Sequence, residues 1–246
     1  MKSDKFLILI GDWPKHIIED LRLFDLIEDK LSTEIIKLDE FSYKTIIDDK
    51  EIIIQFCFGS EENEFRKIRE EHWKEKLPPS IESISNRDSK FKEVYYVGFC
   101  GLINGKVNEI YLPNQFKKVN FKDYWITPRT KFKISRKIER NNILSSKMKG
   151  KICTGLTSNQ VLLLKYMKDR NPETLRLLGE KLSEQADIIE MEGYGVMKYF
   201  SGNCPIGLAY LGTDSPIRKE YILGQEMAKV NWDKFKRMTL NLLKKL

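Results

Sequence analysis

Four short apolar runs that close on glycine, two of them with an acid just beyond, constrain this chain more than any other feature. They are FLILIGD (6–12), EIIIQFCFG (51–59), VYYVGFCG (94–101) and IGLAYLGTD (206–214). Brief β-branched and aromatic runs of this kind are strands buried on both faces, and terminal glycines allow tight turns or close backbone approach. Between the first two, PKHIIEDLRLFDLIEDKL (14–31) sets Ile17, Leu21, Phe24, Ile27 and Leu31 on one helical stripe, with Pro14 suited to a first turn. A strand, a helix and a strand in succession mean an α/β fold.

The remaining segments extend the pattern. TEIIKL (33–38) and YKTII (43–47) read as two further strands, 61–76 as a charged exposed helix, and the proline-bearing stretch 77–90 as a loop. VNEIYLP (107–113) is a strand across the turn LINGK from 94–101, and a basic segment of uncertain structure follows it. KICTG (151–155) is a strand, 172–186 a helix, and Gly193 to Phe200 another helix. In the tail from Gln225 to Leu246, Val230, Lys234, Met238 and Leu242 recur at the spacing of an amphipathic cover helix. Some strand pairs are joined too closely for crossovers, so the sheet should be mixed. At 246 residues the chain suits one domain, 1–246, with a single large core.

Charge and cysteine content narrow the function. The net charge of +7 raises the question of nucleic acid, and the densest basic stretches are KFKISRKIERNN (131–142) and SKMKGK (146–151). Glu139 interrupts the first, and neither belongs to a nucleic-acid-binding motif, so a solvated basic face is the expectation and a nucleic-acid partner is not. No apolar stretch approaches the roughly 18 residues that span a bilayer, and the N-terminal apolar run is too short for a signal segment. A cytoplasmic protein without a membrane partner is expected. Cys57, Cys100, Cys153 and Cys204 form no C-x-x-C pair, and His16 and His72 are the only histidines, so neither a disulfide frame nor a metal site is signalled.

In α/β sheets ligands gather where strands end, which singles out Gly11-Asp12, Gly98 to Gly101, Glu190-Met191-Glu192 and Thr213-Asp214. Taken alone, E-M-E could be an acidic first turn of a helix and T-D an N-cap. The succession VGFCGLINGKVNEIYLP, TGLTSNQV, ADIIEMEGYGVMKYF and PIGLAYLGTDSP nevertheless resembles the nucleoside phosphorylase and nucleosidase superfamily. Its most specific part is E-M-E-G followed, 22 residues after Glu192, by Asp214 closing an apolar strand, similar to that family's E-M-E-A and S-D elements.

The resemblance implies one α/β domain around a mixed, partly barrel-like sheet flanked by helices, acting on the N-glycosidic bond of a nucleoside. By that resemblance Glu192 holds the sugar hydroxyls, Met191 packs beneath sugar or base, and Glu190 has a structural hydrogen-bonding role. Asp214 is the general acid toward the leaving base. Gly98 and Val161 line the substrate, Gly11 and Lys15 face phosphate, and no cofactor is needed beyond inorganic phosphate as co-substrate. The chemistry suits these types: a carboxylate at the pentose favours the developing ribosyl cation, and a protonated base leaves more readily. The reaction so implied is phosphorolysis to free base and pentose 1-phosphate, as in purine salvage, with hydrolysis or binding without turnover as alternatives. A homo-oligomer is implied as well.

Several positions depart from the family pattern. Lys15 stands where the phosphate-clamping arginine of a G-D-P-x-R opening would be, and Tyr96 and Phe99 replace an arginine and a serine that phosphorylases use on phosphate. Val161 stands where a base-stacking phenylalanine is common, and FGSEEN lacks the usual glycine-rich continuation. The early glutamate of nucleosidases gives way to a region holding Asp12, a possible water-activating base only if it turns inward. Arg218 could assist Asp214 or be a solvated surface residue.

Overall fold

The computed structural model describes residues 4–11, 22–38, 42–56, 91–121, 132–157, 172–190, 192–200, 204–214 and 231–246. Ten strands form one sheet: β1 (Lys5–Ile10), β2 (Ile36–Lys37), β3 (Ser42–Ile47), β4 (Lys50–Phe56), β5 (Glu93–Leu102), β6 (Ile110–Phe121), β7 (Phe132–Glu139), β8 (Lys151–Thr157), β9 (Ile188–Glu190) and β10 (Ile206–Asp214). Around them lie α1 (Leu23–Leu31), α2 (Pro172–Ser183), α3 (Gly193–Phe200) and α4 (Trp232–Leu243). The strand order β10-β6-β8-β9-β5-β1-β4-β3-β2, with β10 returning to pair with β5, closes five strands into a barrel and leaves four as an open wing. Parallel pairs β1–β4, β1–β5 and β5–β10 coexist with antiparallel β3–β4, β5–β9 and β6–β10, so the sheet is mixed. The helical stretches 14–21 and 61–76 and the loop at 77–90 read from the sequence lie outside the described residues, as does the tail before Asn231.

Local chemistry explains where elements begin and end. β3 and β4 are joined by Asp48 and Asp49, both at positive φ (49° and 61°), a two-residue turn whose twist matches that of the flanking strands. Asn231 caps α4, its side-chain oxygen accepting from the Lys234 amide at 3.1 Å. β2 is only two residues long, shorter than TEIIKL suggests, because pairing is confined to Ile36 and Lys37 against Lys44 and Tyr43.

The strand expected over 107–113 instead starts at Ile110 and continues past Pro113 to Phe121. A proline cannot donate to a ladder, but the register against β8 shifts between Pro113 and Gln115, and this irregularity lets the strand run on. Beyond it β6 pairs with β7, so the basic stretch 131–142 is largely a strand, and Lys133, Ser135, Arg136, Lys137 and Glu139 on it are exposed. Lys117 faces Lys137 and Lys118 faces Arg136 across this hairpin.

Alternation along β5 and β10 splits the core in two. Tyr95, Val97, Phe99, Ala209 and Leu211 pack with α1 and α4 residues such as Ile27, Phe235 and Leu242. Tyr96, Cys100, Leu102, Leu208 and Tyr210 join Tyr111, Phe116, Cys153 and Ile188 on the other side, covered by Val196, Met197 and Phe200 of α3. Asn142, buried before a short 3-10 turn (Ile143–Ser146), ties the barrel across β6 and β10: its amide donates to Pro113 O at 3.0 Å and Leu208 O at 2.8 Å, and its oxygen accepts from the Leu208 and Leu144 amides.

Candidate functional site

β5 changes neighbours along one edge, and the site is built on that change. Its first half pairs with β1 as far as Val97, and its last residues, Gly101 and Leu102, pair with β9, which runs the opposite way. β1 and β9 therefore both end beside the stretch Gly98 to Cys100, a divergence of strand connectivity of the kind at which ligands gather in α/β sheets. On its other edge β5 is flanked by β10, whose last residue, Asp214, pairs with Gly101. Gly101 thus has Ile189 on one side and Asp214 on the other, so the backbones at the ends of β9 and β10 lie about 10 Å apart, two strand spacings.

The E-M-E turn is tightly tied. Glu190 is buried (3% exposed), and its Oε2 accepts from the amides of Glu192 at 2.6 Å and Gly193 at 2.5 Å. Its other oxygen accepts from the Thr157 hydroxyl, whose oxygen in turn accepts from the Tyr194 amide at 3.0 Å, and the Tyr210 hydroxyl donates to Glu190 at 3.4 Å. The amides of Glu192, Gly193 and Tyr194, where α3 opens, are thereby satisfied within the chain. Burial pushes the Glu190 carboxyl up to about 7, against the pull of the Thr157, Gly193 and Glu192 donors, and burial with the neighbouring carboxylates also raises the Tyr210 phenol. The next residue in the family pattern would be alanine; here it is Gly193, because a Cβ would stand 2.4 Å from the Phe116 ring and 2.6 Å from the Tyr210 hydroxyl.

Glu192 itself is buried at 4% exposure, and the Tyr96 hydroxyl donates to its Oε2 at 3.2 Å. The Tyr96 ring leans on the two glycines singled out in the sequence. A Cβ on Gly11 would fall 1.7 Å from the Tyr96 hydroxyl, and one on Gly98 would fall 2.7 Å from its ring. The Gly11 amide donates to Val97 O at 3.0 Å. Phe99 turns to the opposite face, where it stacks on Phe235 (ring centroids 4.3 Å apart) and meets Trp232 edge-on. The two residues that replace phosphate contacts thus have identifiable employment: Phe99 anchors α4, and Tyr96 occupies the space over Gly11 and Gly98.

Of the sequence-derived site residues, Gly11, Gly98 and Glu192 come together here, and the backbone of Asp214 lies at the same end of β5 but along its opposite edge. Lys15, Val161 and Met191, with Asp12 and Arg218, lie outside the described residues. Sequence reasoning missed Thr157 and Tyr210, which hold Glu190. Thr157 could have been found as the hydroxyl closing the KICTGLT strand, but Tyr210 sits mid-strand and reads as core. Among the described residues no group of three or more His, Cys, Asp or Glu side chains is placed to hold a metal, and no helix is long and apolar enough to cross a membrane. Among the described residues Cys100, Cys153 and Cys204 form no disulfide, and burial raises Cys153 further from reactivity.

No protein-family model matches the chain, and no curated protein matches it by sequence. Its fold does match solved structures. A nucleosidase (MTAN) from Chlamydia trachomatis superposes with a TM-score of 0.60 at 13% identity, covering 99% of each chain. The 5'-methylthioadenosine/S-adenosyl homocysteine nucleosidase of Helicobacter pylori gives 0.59 at 14% identity over 100% of both chains, and the futalosine hydrolase of that organism gives 0.58 at 15% over 99% of each. These neighbours belong to the nucleoside phosphorylase and nucleosidase superfamily, and the chain has their fold.

Proposed function

We propose that this chain hydrolyses the N-glycosidic bond of a nucleoside, releasing free base and pentose. One observation carries the reading: a buried carboxylate, Glu192, stands beside the place where β1 and β9 both end against β5, on a turn whose amides are tied down by Glu190 and Thr157. A carboxylate without mobility, facing sugar hydroxyls, orients the pentose and favours the positive charge that grows on it as the base departs. The resemblance of the fold to nucleosidases and to a hydrolase supports the same chemistry.

In this reading Asp214 gives its proton to a ring nitrogen of the base as the C–N bond breaks, and the bonding electrons leave with the base. Water adds to the anomeric carbon and loses its proton to a nearby base, for which Asp12 is the candidate. Met191 and Val161 flank the nucleoside. Water is favoured over phosphate as the attacking group, although the sequence alone pointed toward phosphorolysis. The Gly11 amide is engaged with Val97 O, the amides of Glu192, Gly193 and Tyr194 at the start of α3 are satisfied internally, and the arginine and serine expected on phosphate are replaced by Tyr96 and Phe99.

The test is a panel of purine and pyrimidine nucleosides incubated with the purified chain, with and without inorganic phosphate, scored for free base and for pentose 1-phosphate. Base release at equal rates in both conditions is expected. Release that requires phosphate and yields pentose 1-phosphate would overturn hydrolysis, and nucleoside binding without release would overturn catalysis altogether. Asp214→Asn should slow release of a purine by about 100-fold or more, the ordinary contribution of a positioned general acid.

A further inference from the structure

β5 carries, inside the core, a tyrosine to which the proposed reaction assigns no part. Tyr96 is fully buried, and its ring lies tilted against that of Tyr210 with centroids 5.1 Å apart. Its hydroxyl reaches the Glu192 carboxylate at 3.2 Å. The ring can lie there only because Gly11 follows β1 and β5 carries Gly98: a methyl group at either position would overlap it, at Gly11 by far more than a contact can absorb. Three separated parts of the chain, residues 11, 96–98 and 192, are therefore shaped around one phenol.

We propose that Tyr96 is the positioning residue of this site: its hydroxyl holds the Glu192 carboxylate, and Gly11 and Gly98 are glycines in order to seat its ring, not to cradle an anion. The inference rests on the proposed reading of Glu192 as the pentose-holding group. A carboxylate that must grip vicinal hydroxyls loses affinity when it can rotate, and a donor fixed by packing stops that rotation from one side. Because the donor is neutral, Glu192 keeps its acceptor character toward the sugar. A cation in the same place would bind an anion as readily as it would bind Glu192.

The experiment compares wild type, Y96F, E192Q and Y96F/E192Q on the best nucleoside of the panel, together with the stability of G11A, Y96A and G11A/Y96A. Y96F keeps the ring and removes only the hydroxyl; it should raise KM about tenfold and change kcat less than about threefold, the signature of lost ground-state binding. In the double variant the two effects should fail to multiply, because both act through one contact. G11A should lower Tm sharply, and Y96A should cancel most of that loss. Inorganic phosphate should leave the wild-type Tm unchanged. An unchanged KM in Y96F, fully multiplicative effects with E192Q, additive Tm losses in G11A/Y96A, or a phosphate-induced Tm rise that G11A abolishes would each overturn the proposal. If no nucleoside is cleaved, the proposed function falls by itself, and the seating of Tyr96 is decided by the Tm cycle and the phosphate arm.

Discussion

Glu190 shows how one side chain can serve the site without touching a ligand. It accepts two amides at the entry to α3 and the Thr157 hydroxyl, so it fixes the path of the chain through Glu192. Its burial raises the carboxyl from 4.5 to about 7. Between those values the unfolded chain has released this proton while the folded chain retains it, so this group makes stability fall as pH rises through that window, by on the order of 1 kcal/mol per pH unit. Glu190→Gln, which keeps an acceptor oxygen toward the two amides, should fold and should flatten that slope in urea titrations at pH 5, 6 and 7. A slope unchanged in the variant would assign the pH dependence to other groups. Glu190 and Glu192 were legible in the sequence because two acids entering an apolar run are hard to bury without purpose. Tyr96 was noticed only as a departure, since its contact with Gly11 depends on β1 and β5 lying side by side, which no local spacing encodes.

Among the elements, α4 is held to the sheet by aromatic contact more than by polar bonds. Phe235 is fully buried and stacks on Phe99, while Met238, Leu242 and Leu243 continue the apolar stripe. Phe235→Ala should cost about 3–5 kcal/mol in chemical denaturation, the range for removing a buried aromatic ring. A loss below about 1 kcal/mol would mean that α4 covers the sheet without anchoring it. This helix was readable from its period, and so were β1, β4, β5, β8, α3 and β10, whose patterns are unbroken. β7 was not, because KFKISRKIE carries charge on both faces and its register slips between Lys118 and Val119 of the partner strand, which scrambles the two-residue alternation. The far half of β6 was hidden behind Pro113, and the β3–β4 turn lacked the glycine that usually marks it.

For the molecule as a whole, barrel closure depends on β10 meeting both β5 and β6. The second meeting is only two residue pairs long, Tyr210 with Tyr111 and Leu211 with Ile110, so Asn142 supplies the missing bridge through Pro113 and Leu208. Asn142→Ala should destabilise the fold by about 3 kcal/mol, since it strands buried backbone groups on two strands at once. A loss under about 1 kcal/mol would show that the barrel closes without it. The mixed sheet was anticipated from strand linkage and the partly barrel-like closure from the family resemblance alone, because closure rests on pairings between segments roughly a hundred residues apart, which no local pattern encodes.

The hairpin in which Lys117 faces Lys137 and Lys118 faces Arg136 bears on how copies of this chain can meet. β7 pairs with β6 alone among the described residues, so its far edge could serve as a template for strand addition. A second β7 brought alongside in parallel register would set Lys133, Arg136 and Lys137 against their own kind, a repulsion that backbone bonding would have to overcome.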